Sequence, residues 1–126
     1  MKTRNVLYFS LLCVVVLTMA ACTGKSKIRP GTLTCEYMEN PAVVDEISPR
    51  LSWINEIVSD DVRGEFQRAY RICVASSEEN LLNGSYDIWD SGKIQSSESN
   101  LIPYEGTTLA SGKDYWWRVM VWDSNN

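Results

Sequence analysis

The sequence contains no histidine among its 126 residues, and it has only four cysteines. Without histidine the chain cannot form the common zinc sites or a Ser-His-Asp or Cys-His catalytic group, and we expect neither a metal nor a cofactor. The first two cysteines fall in a targeting segment, which leaves Cys35 and Cys73 as the one possible pair. We expect two unpaired, half-buried thiols, because Cys73 is out of phase with the apolar residues of its own segment.

Basic residues are also scarce, 12 against 16 acidic residues. Two of them, Lys2 and Arg4, precede an apolar run at residues 6–21, which is the layout of a secretory signal peptide and too short for a good membrane span. Loss of residues 1–21 leaves ten basic and 16 acidic residues, a net charge of −6. Phosphate contacts need a clustered basic surface, so we expect no nucleic-acid partner.

Residues 19–22, MAAC, resemble the bacterial lipobox, in which the cysteine becomes the lipidated N-terminus of the mature protein. We therefore predict lipidation at Cys22, which anchors the protein in a lipid bilayer; plain secretion and an uncleaved anchor are the alternatives. Residues 22–32 are predicted to form the lipidated tether, which holds the protein at the bacterial cell envelope, on the outer membrane. Lys25 and Lys27 favour the periplasmic side of that membrane, and the sequence leaves the orientation open.

Strand-like segments separated by turn residues recur through the rest of the chain. They are predicted at residues 33–37, 50–54, 66–75, 86–94, 100–104 and 115–122, with one or two helical turns at residues 76–84 that Ser76 begins and Gly84 ends. Tyr70, Ile72 and Val74 alternate onto one face of the third segment, and Trp53 fills a core position in the second. With no sustained helical period, residues 33–126 are predicted to form an all-β sandwich.

A tyrosine near the end of the chain refines this prediction. Leu109 precedes Tyr115 by six residues across a tight turn at Ser111-Gly112, which is the spacing of a tyrosine corner, where the phenol bonds to backbone upstream. The chain resembles a fibronectin type III domain, an immunoglobulin-like sandwich whose last two strands form a hairpin. Residues 115–122 would supply the first of those strands, and we expect the sandwich to be truncated before the second.

Several motifs in the same order narrow the resemblance: CEYMENP (35–41), SPRLSW (48–53), RGEFQRAYRICVASS (63–77), IWDSGKI (88–94) and YWWRVMVWD (115–123). Together they resemble the N-terminal sandwich domain of bacterial α-L-rhamnosidases, over about residues 33–126. The resemblance implies an accessory module that packs on and positions the downstream domains of a membrane-anchored, inverting glycosidase, whose two catalytic carboxylates lie in a downstream (α/α)₆ barrel. No residue of this chain corresponds to either carboxylate, so the chain itself is expected to be non-catalytic. The alternative is a stand-alone sandwich lipoprotein that binds glycans or a protein partner.

Three acidic pairs could be mistaken for a catalytic pair of carboxylates. They are Asp60-Asp61, Glu78-Glu79, and Asp87 with Asp90. The first lies in a loop and the second opens a helical turn, where the helix dipole favours acids. No acid falls in a run that looks buried, so we expect none of the three pairs to be catalytic.

The last strand-like segment offers a candidate contact surface. Its core face is predicted to carry Tyr115, Trp117, Val119 and Val121. The opposite face then carries Trp116, Arg118, Met120 and Trp122. Two exposed tryptophans on one strand form an apolar patch, and such patches usually mark a contact. We predict contact with the other domains of a larger enzyme, with glycan binding and cover by local loops as the alternatives.

Overall fold

The structure, a computed structural model, describes residues 26–61 and 63–124. The predicted signal peptide, Cys22 and the first residues of the tether lie outside the described residues. Along the described chain the elements are β1 (Ile28–Cys35), β2 (Arg50–Ile57), β3 (Ala69–Ala75), α1 (Glu78–Leu82), β4 (Trp89–Asp90), β5 (Ile94–Gln95), β6 (Ile102–Pro103) and β7 (Trp116–Trp122). Within these two ranges no helix is long and apolar enough to cross a bilayer.

The strands form two antiparallel sheets. One sheet has the order β1-β2-β6; in the other β3 is central, with β4 and β5 on one side and β7 on the other. The predicted all-β, immunoglobulin-like sandwich is therefore confirmed. Strand β6 lies at the edge of its sheet and pairs with β2 on one side only. Pro103 is tolerated there, because the N–H that proline lacks is not needed on the unpaired side of an edge strand.

The core lies between the two sheets, and alternation along the strands builds it. Trp53 of β2 packs edge-on against Tyr70 of β3, with ring centroids 5.2 Å apart. Ile72 and Val74 follow Tyr70 on the same face of β3 and are buried, as predicted. Full burial of one such side chain stabilises the fold by about 1.5–3 kcal/mol, so these inward faces hold the two sheets together.

Strand β1 begins inside the segment predicted to be tether. It starts at Ile28, five residues before Leu33, so the sandwich begins earlier than the sequence predicted and the tether is shorter. Pro30 and Gly31 look like turn residues in the sequence, but Pro30 is tolerated because β1 is an edge strand. At Gly31 the Glu56 carboxylate lies close over the backbone, and a larger residue there would displace that flexible side chain.

The bounds of β2 and β3 also differ from the predicted ones. Strand β2 continues to Ile57, three residues beyond its predicted end, and β3 begins at Ala69, three residues after the predicted start at Phe66. Phe66 is instead half exposed in the preceding loop, where the Arg68 guanidinium lies 4.5 Å from its ring centroid. The loop turns Gln67 inward, and this residue is buried.

The short helix α1 begins one residue later than predicted. Ser77 is the N-cap rather than Ser76, and its hydroxyl accepts a hydrogen bond from the Asn80 amide. Ser76 instead bonds to the Asp87 carboxylate through its hydroxyl and, at 3.0 Å, through its amide. Gly84 follows the helix as predicted, in the left-handed conformation (φ 77°) that glycine adopts without steric cost.

The predicted tyrosine corner is confirmed. The Tyr115 hydroxyl accepts a hydrogen bond of 2.8 Å from the Ala110 amide. Between them Gly112 turns the chain with a φ of 69°. This bond fixes the connection that carries the chain from β6 in one sheet to β7 in the other.

Strand β7 is the last element in the described chain. It pairs antiparallel with β3 along its whole length, from Trp116 opposite Ala75 to Trp122 opposite Ala69. Among the described strands none pairs with its other edge. Asp123 follows the strand and is fully buried, and its carboxylate accepts a 2.5 Å hydrogen bond from the backbone amide just before β1. The end of β7 is thus joined to the start of β1.

Candidate interaction surfaces

The outer face of β7 carries the four side chains predicted to form a contact surface. Val119 and Val121 are buried on the inner face, with Tyr115 and Trp117 packed against the same core, so the predicted alternation is confirmed. The outer face carries Trp116, Arg118, Met120 and Trp122. Each of these four is only partly exposed.

Local structure covers part of this outer face. Trp116 and Met120 pack against a second group of buried side chains, namely Cys73, Ala75 and Leu81 of β3 and α1. The Lys93 ammonium lies 4.5 Å from the ring centroid of Trp122 and so approaches that side chain from within the domain. Arg118 and Trp122 are therefore the members of the set that helix α1 leaves most available to a partner.

Arg118 is the charged group of this face. Its guanidinium donates a hydrogen bond to the Tyr86 phenol and lies 5.1 Å from the ring centroid. Its Nε is buried without a hydrogen-bond partner, and Arg118 makes no ion pair within residues 26–61 and 63–124. Arg71, by contrast, is paired with Asp90. The guanidinium is partly exposed and has no ion pair in the described chain, so its outer N–H groups are suited to a carboxylate from outside the domain.

The two thiols are free, as predicted. Cys35 is half-buried, and burial together with the neighbouring Glu36 carboxylate raises the pKa of its thiol. Cys73 is fully buried rather than half-buried, because α1 packs over the outer face of β3. Burial, assisted by Asp90, raises the pKa of the Cys73 thiol above its ordinary value, so it stays protonated and unreactive at neutral pH.

Asp87 and Asp90 do not form a catalytic pair. The Arg71 guanidinium, with its Nε 2.8 Å from Asp90 Oδ1, lowers the pKa of Asp90 to about 2. Hydrogen bonds from the Ser76 hydroxyl and amide likewise lower the pKa of Asp87. A glycosidase's general acid needs a raised pKa, which is the opposite shift. The remaining pairs, Asp60-Asp61 and Glu78-Glu79, are exposed.

The connection between β1 and β2, residues 36–49, exposes large apolar side chains. Tyr37, Val43 and Ile47 are 67%, 70% and 76% exposed. A cleft of about 720 Å³ lies between this connection and the turn at residues 109–115. The sequence did not predict this surface, because a proline-marked loop gives no indication of which side chains the rest of the fold will leave uncovered.

Gln67 is a buried polar residue that the sequence patterns did not single out. Its Oε1 accepts hydrogen bonds from the Trp53 indole at 2.9 Å and the Asn55 amide at 3.0 Å. Its Nε2 donates to the carbonyl oxygens of Ser96 at 3.1 Å and Glu98 at 2.7 Å. These four bonds use the full capacity of the amide, so Gln67 is a structural residue rather than a ligand group. In the described part of the chain, no group of three or more His, Cys, Asp or Glu side chains could hold a metal ion.

Comparison with known proteins extends these observations. Residues 30–126 match the family described as Rha78A-like, N-terminal immunoglobulin domain. An α-L-rhamnosidase of Formosa agariphila is 35% identical over 126 aligned residues, covering 97% of this chain and 13% of that protein. The crystal structure of Streptomyces avermitilis α-L-rhamnosidase complexed with L-rhamnose is similar with a TM-score of 0.69 and 39% identity, covering 77% of this chain and 9% of that one. The structure of α-L-rhamnosidase from Dictyoglumus thermophilum has a TM-score of 0.69 and 41% identity, over 75% of this chain and 10% of that one.

The two antiparallel sheets and the tyrosine corner define the class, an immunoglobulin-like β-sandwich. Within that class, the chain belongs to the Rha78A-like N-terminal immunoglobulin domain family. The resemblance drawn from the sequence motifs is therefore confirmed. The chain spans only 9–13% of the length of these relatives.

Proposed function

We propose that this chain is the N-terminal accessory domain of a larger, membrane-anchored α-L-rhamnosidase, in which it packs on and positions the domains that follow. The observation that carries the proposal is the coverage of the relatives. Proteins named α-L-rhamnosidase match 75–97% of this chain, while the chain corresponds to only 9–13% of them. In these relatives a domain of this size is a small part of a much larger polypeptide. A stand-alone lipoprotein is therefore the less favoured alternative.

The chemistry of the described residues supports an accessory role. Inverting glycoside hydrolysis uses a protonated acid and an ionised base, with carboxyl groups about 6.5–9.5 Å apart on either side of the scissile bond. In this chain the pKa values of Asp87 and Asp90 are lowered by local hydrogen bonds, which makes both unsuitable as the acid. The parent enzyme would supply both catalytic carboxylates from the domains that follow.

The proposal includes lipidation at Cys22 and residence at the outer membrane of a bacterial cell envelope. It is supported by the signal-like residues 1–21 and the lipobox-like MAAC segment. Cys22 and Ile28 are six residue steps apart and can be separated by at most about 20 Å, so the sandwich would stay close to the bilayer surface.

The outer face of β7 is the contact surface that the sequence proposed, and the geometry supports a narrower form of it. Arg118 retains a buried donor without a partner, and Trp122 is partly exposed beside it. A carboxylate of the following domains would pair with the exposed part of the Arg118 guanidinium, and an apolar side chain would cover Trp122.

The enzymatic part of the proposal is tested with two proteins made from the same gene. One is the 126-residue chain, and the other is the complete polypeptide that the gene encodes. We expect the complete polypeptide to hydrolyse an aryl α-L-rhamnoside and the 126-residue chain to show no turnover above background. A reading frame that ends soon after Asn126, a complete polypeptide without this activity, or turnover by the short chain would each contradict the proposal.

The anchor is tested separately by fatty-acid labelling in cells. Cys22→Ala is expected to abolish the label and leave the precursor unprocessed. The matched control is Cys35→Ala, which removes another free thiol and should label and mature normally. Normal labelling of Cys22→Ala would show that the anchor is wrongly placed.

The β7 face is tested by Arg118→Met in the complete polypeptide, because methionine keeps most of the length of the side chain and removes the charge. If a carboxylate from another domain pairs with Arg118, the substitution should destabilise the complete polypeptide by more than it destabilises the 126-residue chain, which loses only the contacts with Tyr86. Arg29→Met, which removes an exposed arginine on the other sheet, is the control. Equal effects of the two substitutions would contradict the proposed contact.

A further inference from the structure

The β1–β2 connection presents an apolar side chain on an unusually rigid turn. Cys35 and Met38 exchange two backbone hydrogen bonds of 2.9 and 3.0 Å around the two-residue turn formed by Glu36 and Tyr37. Both central residues are left-handed, with φ of 48° and 68°. Turns of this kind favour Asn-Gly, because a side chain at positive φ is strained.

Further contacts hold this strained turn in place. The Glu36 carboxylate accepts hydrogen bonds from the Arg50 amide at 2.6 Å and from its guanidinium at 3.0 and 2.6 Å. The same guanidinium lies 5.5 Å from the ring centroid of Tyr37. The backbone at Tyr37 is therefore held by the turn, and its side chain contacts Arg50 while 67% of the residue remains exposed to solvent. Strain that the surrounding structure maintains is typical of functional positions, and a pre-ordered aromatic side chain loses little entropy on binding.

The charge of the connection restricts what can cover it. Glu39, Asp45 and Glu46 form no ion pair with any described residue, so the exposed apolar side chains lie among carboxylates that are available to a basic partner. Two copies of this surface would repel each other, which disfavours a symmetric dimer. The complementary partner has an apolar centre and a rim of lysine and arginine.

The position of the connection also disfavours the membrane as the partner. It follows the last residue of β1, whereas the proposed anchor precedes the first. The eight residues of β1 separate the two ends of the strand by roughly 23 Å, at about 3.3 Å per residue. The connection thus lies at the end of the sandwich that faces away from the anchored terminus.

We propose that the β1–β2 connection, residues 36–49, docks onto the part of the same polypeptide that follows the sandwich, on a surface with an apolar centre and a basic rim. This inference rests on the proposed function, since it requires the larger enzyme. It is supported by the relatives, in which the matched region is only 9–13% of the chain, so that a large body is covalently available. The cleft of about 720 Å³ beside the connection would admit a few apolar side chains of that body.

The test measures amide hydrogen exchange at residues 36–49 in the complete polypeptide. Val43→Asp and Ile47→Asp place a charge at two highly exposed positions, where the sandwich itself loses little stability. Each should accelerate exchange across the connection about tenfold or more, because docking is what slows it. The matched control is Val58→Asp, another exposed valine, at the opposite end of β2. No acceleration by either variant, or the same acceleration by the control, overturns the docking.

Tyr37→Gly distinguishes docking from a structural role of the turn. Glycine is compatible with the left-handed turn, so the turn itself should be retained, while exchange at residues 39–47 becomes faster because the docking side chain is gone. Unchanged exchange with this variant overturns the proposal. Protection that depends on protein concentration or on added vesicles of anionic phospholipid also overturns it, because the occupant is then a second copy or a membrane. Rhamnosidase activity is also measured on the wild-type polypeptide and on every variant. If the wild type is active but its residues 36–49 exchange without protection, the docking alone is refuted. If the wild type has no activity, the proposed function is refuted.

Discussion

Gln67→Leu removes a buried amide while keeping a similar side-chain volume. In the native fold this amide, 2% exposed, makes four hydrogen bonds that join β2 to the chain after β5. The substitution leaves the indole N–H of Trp53, a residue 3% exposed, without an acceptor. It also leaves the carbonyl oxygens of Ser96 and Glu98 without this donor.

The expected loss follows from these groups. The Trp53 indole N–H, buried without an acceptor, costs about 1–3 kcal/mol. Each of the other three lost hydrogen bonds costs about 0.5–1.5 kcal/mol, because their groups can reach water more easily. We expect Gln67→Leu to lower the free energy of unfolding by roughly 3–5 kcal/mol, a large part of the roughly 5–15 kcal/mol typical of a domain. Urea unfolding followed by tryptophan fluorescence measures this loss. A variant within about 0.5 kcal/mol of the wild type would refute the assigned role of Gln67.

Gln67→Glu gives the same site a pH dependence. The carboxylate can still accept from Trp53 and Asn55, but its second oxygen faces the carbonyl oxygens that Nε2 now contacts. Burial and this repulsion raise the pKa of the introduced carboxyl in the folded state above its unfolded value. The variant is therefore closest to wild-type stability below the unfolded pKa of about 4.3, and its deficit grows as the pH rises through the folded pKa. A deficit that is the same at pH 4 and pH 7 would contradict this assignment.

Three other substitutions test features of the fold. Tyr115→Phe removes the acceptor of the Ala110 amide and should lower the free energy of unfolding by about 0.5–1.5 kcal/mol in a urea melt; no change would contradict a stabilising tyrosine corner. Asp123→Ala removes the acceptor of the backbone amide just before β1. We expect amide exchange at residues 26–30 to be faster than in the wild type, and unchanged exchange would argue against this link. Because Arg71 lowers the pKa of Asp90 from 3.8 to about 2, the pair contributes stability above pH 4 that is lost as the pH falls towards 2. In Asp90→Asn, the free energy of unfolding should fall less between pH 4 and pH 2 than in the wild type. The difference should be modest, because both side chains are about one-third exposed, and an identical pH dependence would contradict the role of the pair.

Local periodicity made much of this fold predictable. The alternation of Tyr70, Ile72 and Val74 assigned the core face of β3, because side-chain direction in a strand depends only on sequence spacing. The tyrosine corner was likewise readable from the spacing of Leu109 and Tyr115, since its hydrogen bond closes within a few residues. The family resemblance came from short motifs in a fixed order, and it covers the same sandwich that the comparisons match.

The features that were missed depend on residues distant in sequence. The start of β1 was concealed by Pro30 and Gly31, which are compatible with a strand only because β1 is an edge and Glu56 covers the glycine. Gln67 bonds to carbonyl oxygens 29 and 31 residues away, so no local pattern could have identified its role. The full burial of Cys73 follows from the docking of α1, which is a tertiary contact.

A domain indicates its function in part through the surfaces that its own fold leaves uncovered. Some of its charges are paired internally: Arg50 with Glu36, and Arg71 with Asp90. By contrast, the exposed apolar side chains of residues 36–49 lie beside Glu39, Asp45 and Glu46, which form no ion pair within the described chain. Because burial of apolar area against a complementary surface favours association, these exposed side chains are suited to contact with a partner. Under the proposed function, this surface would contact the domains that follow and so help to position them.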